Sequence, residues 1–135
     1  MRICVVTSNF YPEISKNLIS GALLKLKKNK ISNIKMIKVP GTFEIPVVIS
    51  NLISKYDGFI ALGCVIKGET PHFDYISSSV INALGNLSVQ SKKPIGNGIL
   101  TCNNKKQAAK RADPYTKDKG GEAAYAVISV LKIIK

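Results

Sequence analysis

Apolar positions along the chain recur in two alternating ways. "RICVVT" (2–7) is an almost unbroken apolar run, and "EISKNLISGALLKLKK" (13–28) then spaces Ile14, Leu18, Ile19, Ala22, Leu23 and Leu26 at helical intervals. A buried strand is thus followed by an amphipathic helix. "IKMIKV" (34–39) reads as a second strand, "FEIPVVISNLISK" (43–55) as a helix entered through Pro40-Gly41, and "GFIALGCVI" (58–66) as a third strand. "HFDYISSSVINALGNLSVQ" (72–90) is a long helix and "PIGNGILTC" (94–102) a fourth strand, while "NKKQAAKRA" (104–112) and "KGGEAAYAVISVLKIIK" (119–135) close the chain as helices. Strands that are apolar throughout are covered on both faces. The alternation with short connections predicts an α/β fold: a three-layer α/β/α sandwich around a central four-stranded parallel sheet, joined by right-handed crossovers.

Composition narrows the class. A chain of 135 residues with 45% hydrophobic content suits one packed domain over 1–135 and is short for two. Its apolar runs fall well short of a membrane span, and "MRICVVTSNFYPEI" lacks the small-residue cleavage site of a signal peptide, so a soluble, cytoplasmic protein is expected. Cys4, Cys64 and Cys102 are odd in number, widely spaced and set in apolar runs, which fits small core residues in a reducing compartment better than a disulfide framework or a metal site. The net charge of +12 would concentrate any anionic partner. Its lysines are scattered along the chain rather than gathered into a stripe with interleaved aromatics, so a lysine-coated solvated surface is favoured over a nucleic-acid or membrane footprint.

In a parallel α/β sheet, ligands bind at the carboxyl ends of the strands. Four segments lie there: "SNF", "PGTFE", "KGETPH" and "TCNN". "PGTFE" and "GETPH" each place a glycine and a threonine at a predicted helix start, where free N–H groups and the dipole can accept an oxyanion, although both residues are equally ordinary in turns and caps. His72, the only histidine, stands at the mouth of the third strand, and pattern alone leaves proton transfer and simple packing equally open. Arg111 is one of two arginines in a lysine-rich chain; its fork suits phosphate, but a helix-surface arginine needs no function.

The segments "SNFYPEISKNLISGA", "VPGTFEIP", "YDGFIALGCVIKGETPHFDYI", "GILT", "QAAKRA" and "DKGGEAA" together resemble the 6,7-dimethyl-8-ribityllumazine synthase family, in order and over nearly the whole chain. The resemblance implies a flavodoxin-like fold and a transferase of riboflavin biosynthesis that joins 5-amino-6-(D-ribitylamino)uracil to 3,4-dihydroxy-2-butanone 4-phosphate, with no metal and no organic cofactor. It further implies that Phe10 stacks on the pyrimidine, that Gly41, Thr42, Phe43 and Glu44 hold the uracil and ribityl chain, and that Val65 and Ile66 flank the heterocycle. Gly68, Glu69 and Thr70 would bind the butanone phosphate, with Arg111 reaching it from a neighbouring subunit and Lys119 near the site across the same interface. His72 would transfer protons.

The chain departs from the family in two places. Asn97 stands where many relatives carry a phenylalanine that covers the heterocycle from the adjacent subunit, so an amide would hydrogen-bond there instead of stacking. The chain also begins directly with its first strand, whereas many relatives carry an N-terminal extension, which favours a homopentamer with shared active sites over a 60-mer. The alternative reading is a flavodoxin-like flavin-binding protein without lumazine synthase activity; it would need a hydroxyl-rich phosphate loop after the first strand, where "SNFYPE" instead carries Pro12 and Glu13.

Overall fold

A computed structural model describes residues 1–69 and 71–135. The elements follow in the order β1 (Ile3–Ser8), α1 (Pro12–Lys28), β2 (Ile34–Val39), a 3-10 turn (Thr42–Glu44), α2 (Ile45–Leu52), β3 (Gly58–Ile66), α3 (His72–Ser91), β4 (Ile95–Cys102), α4 (Lys105–Ala112) and α5 (Lys119–Ile134). The four strands form one parallel sheet in the order β2-β1-β3-β4. β1 and β3 sit in its centre, and their residues are buried almost without exception, as continuous apolar runs demand. β2 and β4 are the edges, and both carry exposed positions.

Side chains alternate between the two faces along each strand. Ile3, Val5, Ile60, Leu62 and Leu100 pack under α1, α4 and α5, against Leu18, Ala22, Leu26, Ala124 and Leu131. Cys4, Val6, Phe59, Ala61 and Ile99 face the other way, against Ile45 and Ile49 of α2 and Val80 and Leu84 of α3. Helices on both faces make the α/β/α sandwich of a flavodoxin-like fold. The layers differ in finish. α5 buries seven of its 16 residues, whereas α3 buries only Ser77, Val80 and Leu84 of its 20 and leaves Tyr75 71% and Val89 80% exposed.

The segment 43–55, expected as one helix, is divided. Glu44 N–H bonds to Gly41 O at 3.3 Å and Ile45 N–H to Thr42 O, both three-residue closures, and α2 begins only at Ile45. Pro46 is the cause: without an N–H it cannot donate to Thr42 O, so the four-residue bond that would fuse the two pieces is missing. The "PGTFE" segment therefore lacks the long helix whose dipole would attract an anion. What it offers is the main chain and side chains of a tight turn.

All three cysteines are free and buried. Desolvation pushes the Cys4 thiol up to about 11 and the Cys64 thiol up to about 12. Thiolate is the reactive form, so native protein at neutral pH should react with iodoacetamide at least ~100-fold more slowly than a free thiol, while unfolded protein takes up three labels. Mass spectrometry of alkylated protein, with and without denaturant, checks this; rapid native labelling of Cys64 would contradict its burial.

Candidate functional site

The carboxyl ends of β1, β2 and β3 meet around a small polar seat. Ser8, at the end of β1, is 2% exposed; its carbonyl accepts from Ser15 Oγ at 2.6 Å and its hydroxyl accepts from Thr42 Oγ1 at 3.5 Å. A Cβ at Gly63 of β3 would lie 2.8 Å from Thr42 Oγ1 and 3.2 Å from Ser8 Oγ, so the absence of a side chain there lets the turn after β2 settle onto the sheet. Thr42 is itself 6% exposed, which commits its hydroxyl inward and leaves its main chain for a ligand. Ser8 points inward as well, so the β1 loop lacks the exposed hydroxyl expected of a phosphate loop.

Around this seat the remaining groups face outward. A Cβ on Gly41 would come within 2.9 Å of Glu44 Oε1, which places the carboxylate back over the Gly41 main chain. Phe10 and Phe43 are 68% and 57% exposed, one from the β1 loop and one from the turn after β2. Phe10 lines a cavity of about 430 Å³ with Tyr11, Lys105 and Ala109, whereas Phe43 and Glu44 line a second one with Val47 and Ala83, so each offers an exposed apolar ring of its own to a flat ligand. Phe10 is steadied edge-on by Tyr11 at 5.0 Å between centroids, and Lys105 Nζ stands 5.6 Å from the Tyr11 ring. Burial raises the Tyr11 phenol above its ordinary value.

β3 supplies the next wall. Val65 and Ile66 are half-buried on opposite faces, Val65 toward α2 and α3 and Ile66 toward α1 and α4. Beyond them Lys67 N–H bonds to Cys102 O at 2.9 Å, prolonging the pairing of β3 with β4. Gly68 has open space where a Cβ would be, and Glu69 is exposed. Thr70 lies outside the described residues. His72 is the exposed first residue of α3. Phe10, Gly41 to Glu44, Val65 to Glu69 and His72 thus share one end of the sheet.

Asn97 stands apart from them within the chain, and Arg111 and Lys119 line a cavity that none of them lines. Asn97 pairs with Ala61, five residues before β3 ends at Ile66, which is roughly 16 Å lower along the strand. Arg111 and Lys119 line a cavity of about 300 Å³ on the outer side of β4, with Thr101, Lys117 and Glu122. Arg111 Nη1 donates to Gln107 O at 3.4 Å, and its guanidinium lies close enough to Cys102 to pull down a thiol that burial pushes up. Lys119 Nζ is 3.5 Å from Glu122 Oε1. Sequence reasoning passed over Lys117, whose signal was its place two residues before Lys119 in "TKDKGG". It also passed over Ser8 and Gly63, which only the strand pairing reveals as neighbours of Thr42.

The turn leading into Lys119 is built locally. Asp118 takes a left-handed conformation with φ 46° and its carboxylate caps α5 by accepting from Gly121 N–H at 3.1 Å. α4 is entered through a reciprocal cap: Asn104 Oδ1 accepts from Gln107 N–H, and Gln107 Oε1 accepts from Asn103 N–H, both at 2.8 Å. Among the described residues no group of His, Cys, Asp or Glu side chains is arranged to hold a metal, and no helix is long and apolar enough to cross a membrane.

Comparison with known proteins gives a consistent result. A family model described as 6,7-dimethyl-8-ribityllumazine synthase matches residues 1–135. The 6,7-dimethyl-8-ribityllumazine synthase of Desulfovibrio desulfuricans is 37% identical, covering 100% of the chain and 89% of the relative. That of Bartonella tribocorum is 44% identical over 98% of the chain and 89% of the relative. The 6,7-dimethyl-8-ribityllumazine synthase 1 of Rhodopseudomonas palustris is 41% identical over 98% of the chain and 85% of the relative.

Proposed function

The chain belongs to the 6,7-dimethyl-8-ribityllumazine synthase family, and from that premise we propose how its own residues divide the work. The reaction is the condensation of 5-amino-6-(D-ribitylamino)uracil with 3,4-dihydroxy-2-butanone 4-phosphate to 6,7-dimethyl-8-ribityllumazine, phosphate and water, in riboflavin biosynthesis. What supports the residue assignment is that Phe10, Phe43, Glu44 and the sole histidine all belong to segments at one end of the sheet.

Phe10 stacks on the pyrimidine, the main chain of Gly41 to Phe43 meets its polar edge, and Glu44 accepts a ribityl hydroxyl. Val65 and Ile66 close the heterocycle from below. Gly68, Glu69 and Thr70 bind the butanone phosphate, with Arg111 of the adjacent subunit as its counter-charge and Lys119 beside it. Joining an amine to a ketone requires dehydration of a carbinolamine, departure of phosphate and ring closure with loss of a second water, each with proton transfers that His72 can relay in turn. No covalent enzyme intermediate is needed, because the amine of one substrate is the nucleophile and phosphate is the leaving group of the other. Holding the two in register supplies the larger share of the acceleration. Accordingly His72→Ala should lower turnover by about 10- to 100-fold, at the bottom of the usual range for acid-base groups, and leave both KM values within a factor of about three. Steady-state kinetics at saturating substrates checks this, and an unchanged kcat would remove His72 from the mechanism.

The site is complete only when β4 of one chain meets the α2 and α3 side of another. That side carries a groove of about 350 Å³ floored by Phe43, Pro46, Val47 and Ala83, on the layer whose helices bury least. A head-to-tail contact of this kind closes into a ring, and a cytoplasmic homopentamer is the assembly we propose. Mixing the protein with both substrates and following product absorbance and fluorescence together with phosphate release tests the reading. No product at millimolar substrate, or a monomer by light scattering at assay concentration, would overturn it.

A further inference from the structure

Folding gathers cations that the sequence leaves scattered. Lys25, Lys27 and Lys28 lie in the last turn of α1, and among the described residues none of them forms an ion pair with a carboxylate. Nor are they needed to cap the helix: the carbonyls of Lys25, Leu26 and Lys27 are taken by the N–H groups of Asn29, Lys30 and Ile31 and by the Asn29 amide. The three lysines line a groove of about 510 Å³ between α1 and the loop joining α4 to α5, roomier than the cavities around Phe10, Phe43 or Arg111. On its other wall stands Tyr115, 92% exposed and without an aromatic or cationic partner among the described residues. The loop that carries this ring is firmly built. Tyr115 N–H donates to Asp113 Oδ1 at 2.9 Å, Thr116 and Asp118 N–H both donate to Asp113 O, and the Thr116 hydroxyl donates to Lys110 O. Leu24 and Pro114 add an apolar strip, with Leu24 54% exposed. Asp118 is the one carboxylate lining the groove, and it is committed to Gly121 N–H at the positive end of α5.

We propose that this groove is a nucleotide site, separate from the site at the carboxyl end of the sheet, in which a base stacks on Tyr115 and the phosphates are taken by the lysines of α1. Ammoniums without carboxylates call for a multiply charged anion, and an unpartnered ring on a rigid loop calls for a flat face; a nucleoside triphosphate offers both in one molecule. Lys25 and Lys28 are one helical turn apart, so their ammoniums can reach the same phosphate chain. The volume suits one small ligand. A nucleic-acid strand would need stacking rings repeated along a charged path, and here a single ring faces a single cluster of cations. The groove lies on the α1 and α5 layer, opposite the α2 and α3 side through which the proposed ring assembles, so it does not depend on how the catalytic site is completed.

The test is titration calorimetry of the full-length protein with ATP and with inorganic tripolyphosphate, which carries the charge without the base. ATP should bind saturably at one site per chain, and tripolyphosphate about tenfold more weakly for want of stacking. Tyr115→Ala should weaken ATP by about tenfold and leave tripolyphosphate unchanged. Lys25→Gln with Lys28→Gln should weaken both ligands about tenfold or more, and lumazine formation should stay at the parental rate in every one of these variants. Lys35→Gln with Lys38→Gln removes the same charge from exposed positions on β2 and should leave ATP binding within a factor of about two. Absence of saturable ATP binding would overturn the proposal, as would equal losses in the two lysine pairs, the mark of diffuse attraction to a cationic surface. ATP binding that survives Tyr115→Ala but disappears with Arg111→Ala would place the nucleotide in the butanone phosphate site instead. A deoxyadenosine oligonucleotide that binds where ATP does not would equally sink the idea.

Discussion

Gly120→Ala is expected to lower the unfolding free energy by about 3 kcal/mol, the upper part of the range for an overpacked core, and to reduce the melting temperature by roughly 10 °C. A Cβ at this position would lie 2.0 Å from Leu18 O, 2.8 Å from Leu18 C and 3.0 Å from Leu18 Cα. These are main-chain atoms of α1, and Leu18 is fully buried, so no rotamer change relieves the clash. The two helices must part, and the contact between them is the most extensive between any helices of the fold. Helix propensity pulls the other way, since alanine is favoured over glycine in a helix by only ~1 kcal/mol, too little to offset the separation. Gly85 supplies the contrast. It sits on the exposed side of α3 with nothing within 4 Å of a Cβ, so Gly85→Ala should stabilise by up to about 1 kcal/mol. Thermal melts of the two variants give opposite signs if the packing account holds, and equal signs overturn it.

The same clash reaches the site. Lys119 precedes Gly120, Asp118 caps the helix they open, and a Cβ at Gly21 of α1 would lie within 2.2 Å of Asp118 Oδ1. The segment "DKGG" is thus a packing device whose side effect is to hold one lysine at the rim of the cavity beside Arg111.

Much of the fold was legible because its central strands are apolar throughout. β1 and β3 announce themselves as buried runs, and the helices between them by spacing. The exceptions have local or long-range causes. Pro46 divides the segment 43–55 by withholding one N–H, a signal present in the sequence but outweighed there by the apolar spacing around it. Strand order is not written in periodicity, so nothing in "PIGNGILTC" marked β4 as an edge or warned that Asn97 would spend its oxygen on Ile99. The same blindness hid Ser8 and Gly63, whose meeting with Thr42 depends on β1 lying between β2 and β3. That Phe10, Glu44 and His72 lie at one end of the sheet was legible because the carboxyl ends of parallel strands are known before the order of the strands is. The role proposed for Arg111 rests on family resemblance alone.

Arg111→Ala should raise KM for the butanone phosphate by about 10- to 100-fold, the weight of one charge-assisted hydrogen-bonded contact, with KM for the ribitylaminouracil unchanged. Arg111→Lys should recover part of that, ending about threefold short of the parent, because it restores charge without the fork. The +12 charge makes the comparison clean: long-range attraction of the phosphate is carried by many lysines and barely changes when one cation is lost, so the defect is local. The stronger form of the experiment uses two defective chains together. If His72 and Arg111 act in one site from different subunits, the His72→Ala and Arg111→Ala proteins, each impaired alone, should gain activity over either variant when refolded as a mixture. With equal amounts and random assembly, about one site in four receives His72 from one chain and Arg111 from the other, so roughly a quarter of parental activity should return in a head-to-tail ring. If both residues served a site within one chain, every site in the mixture would carry one defect and no activity would return. The regained fraction, measured at subsaturating butanone phosphate where both defects are felt, therefore decides whether the His72 and Arg111 of one site come from one chain or from two.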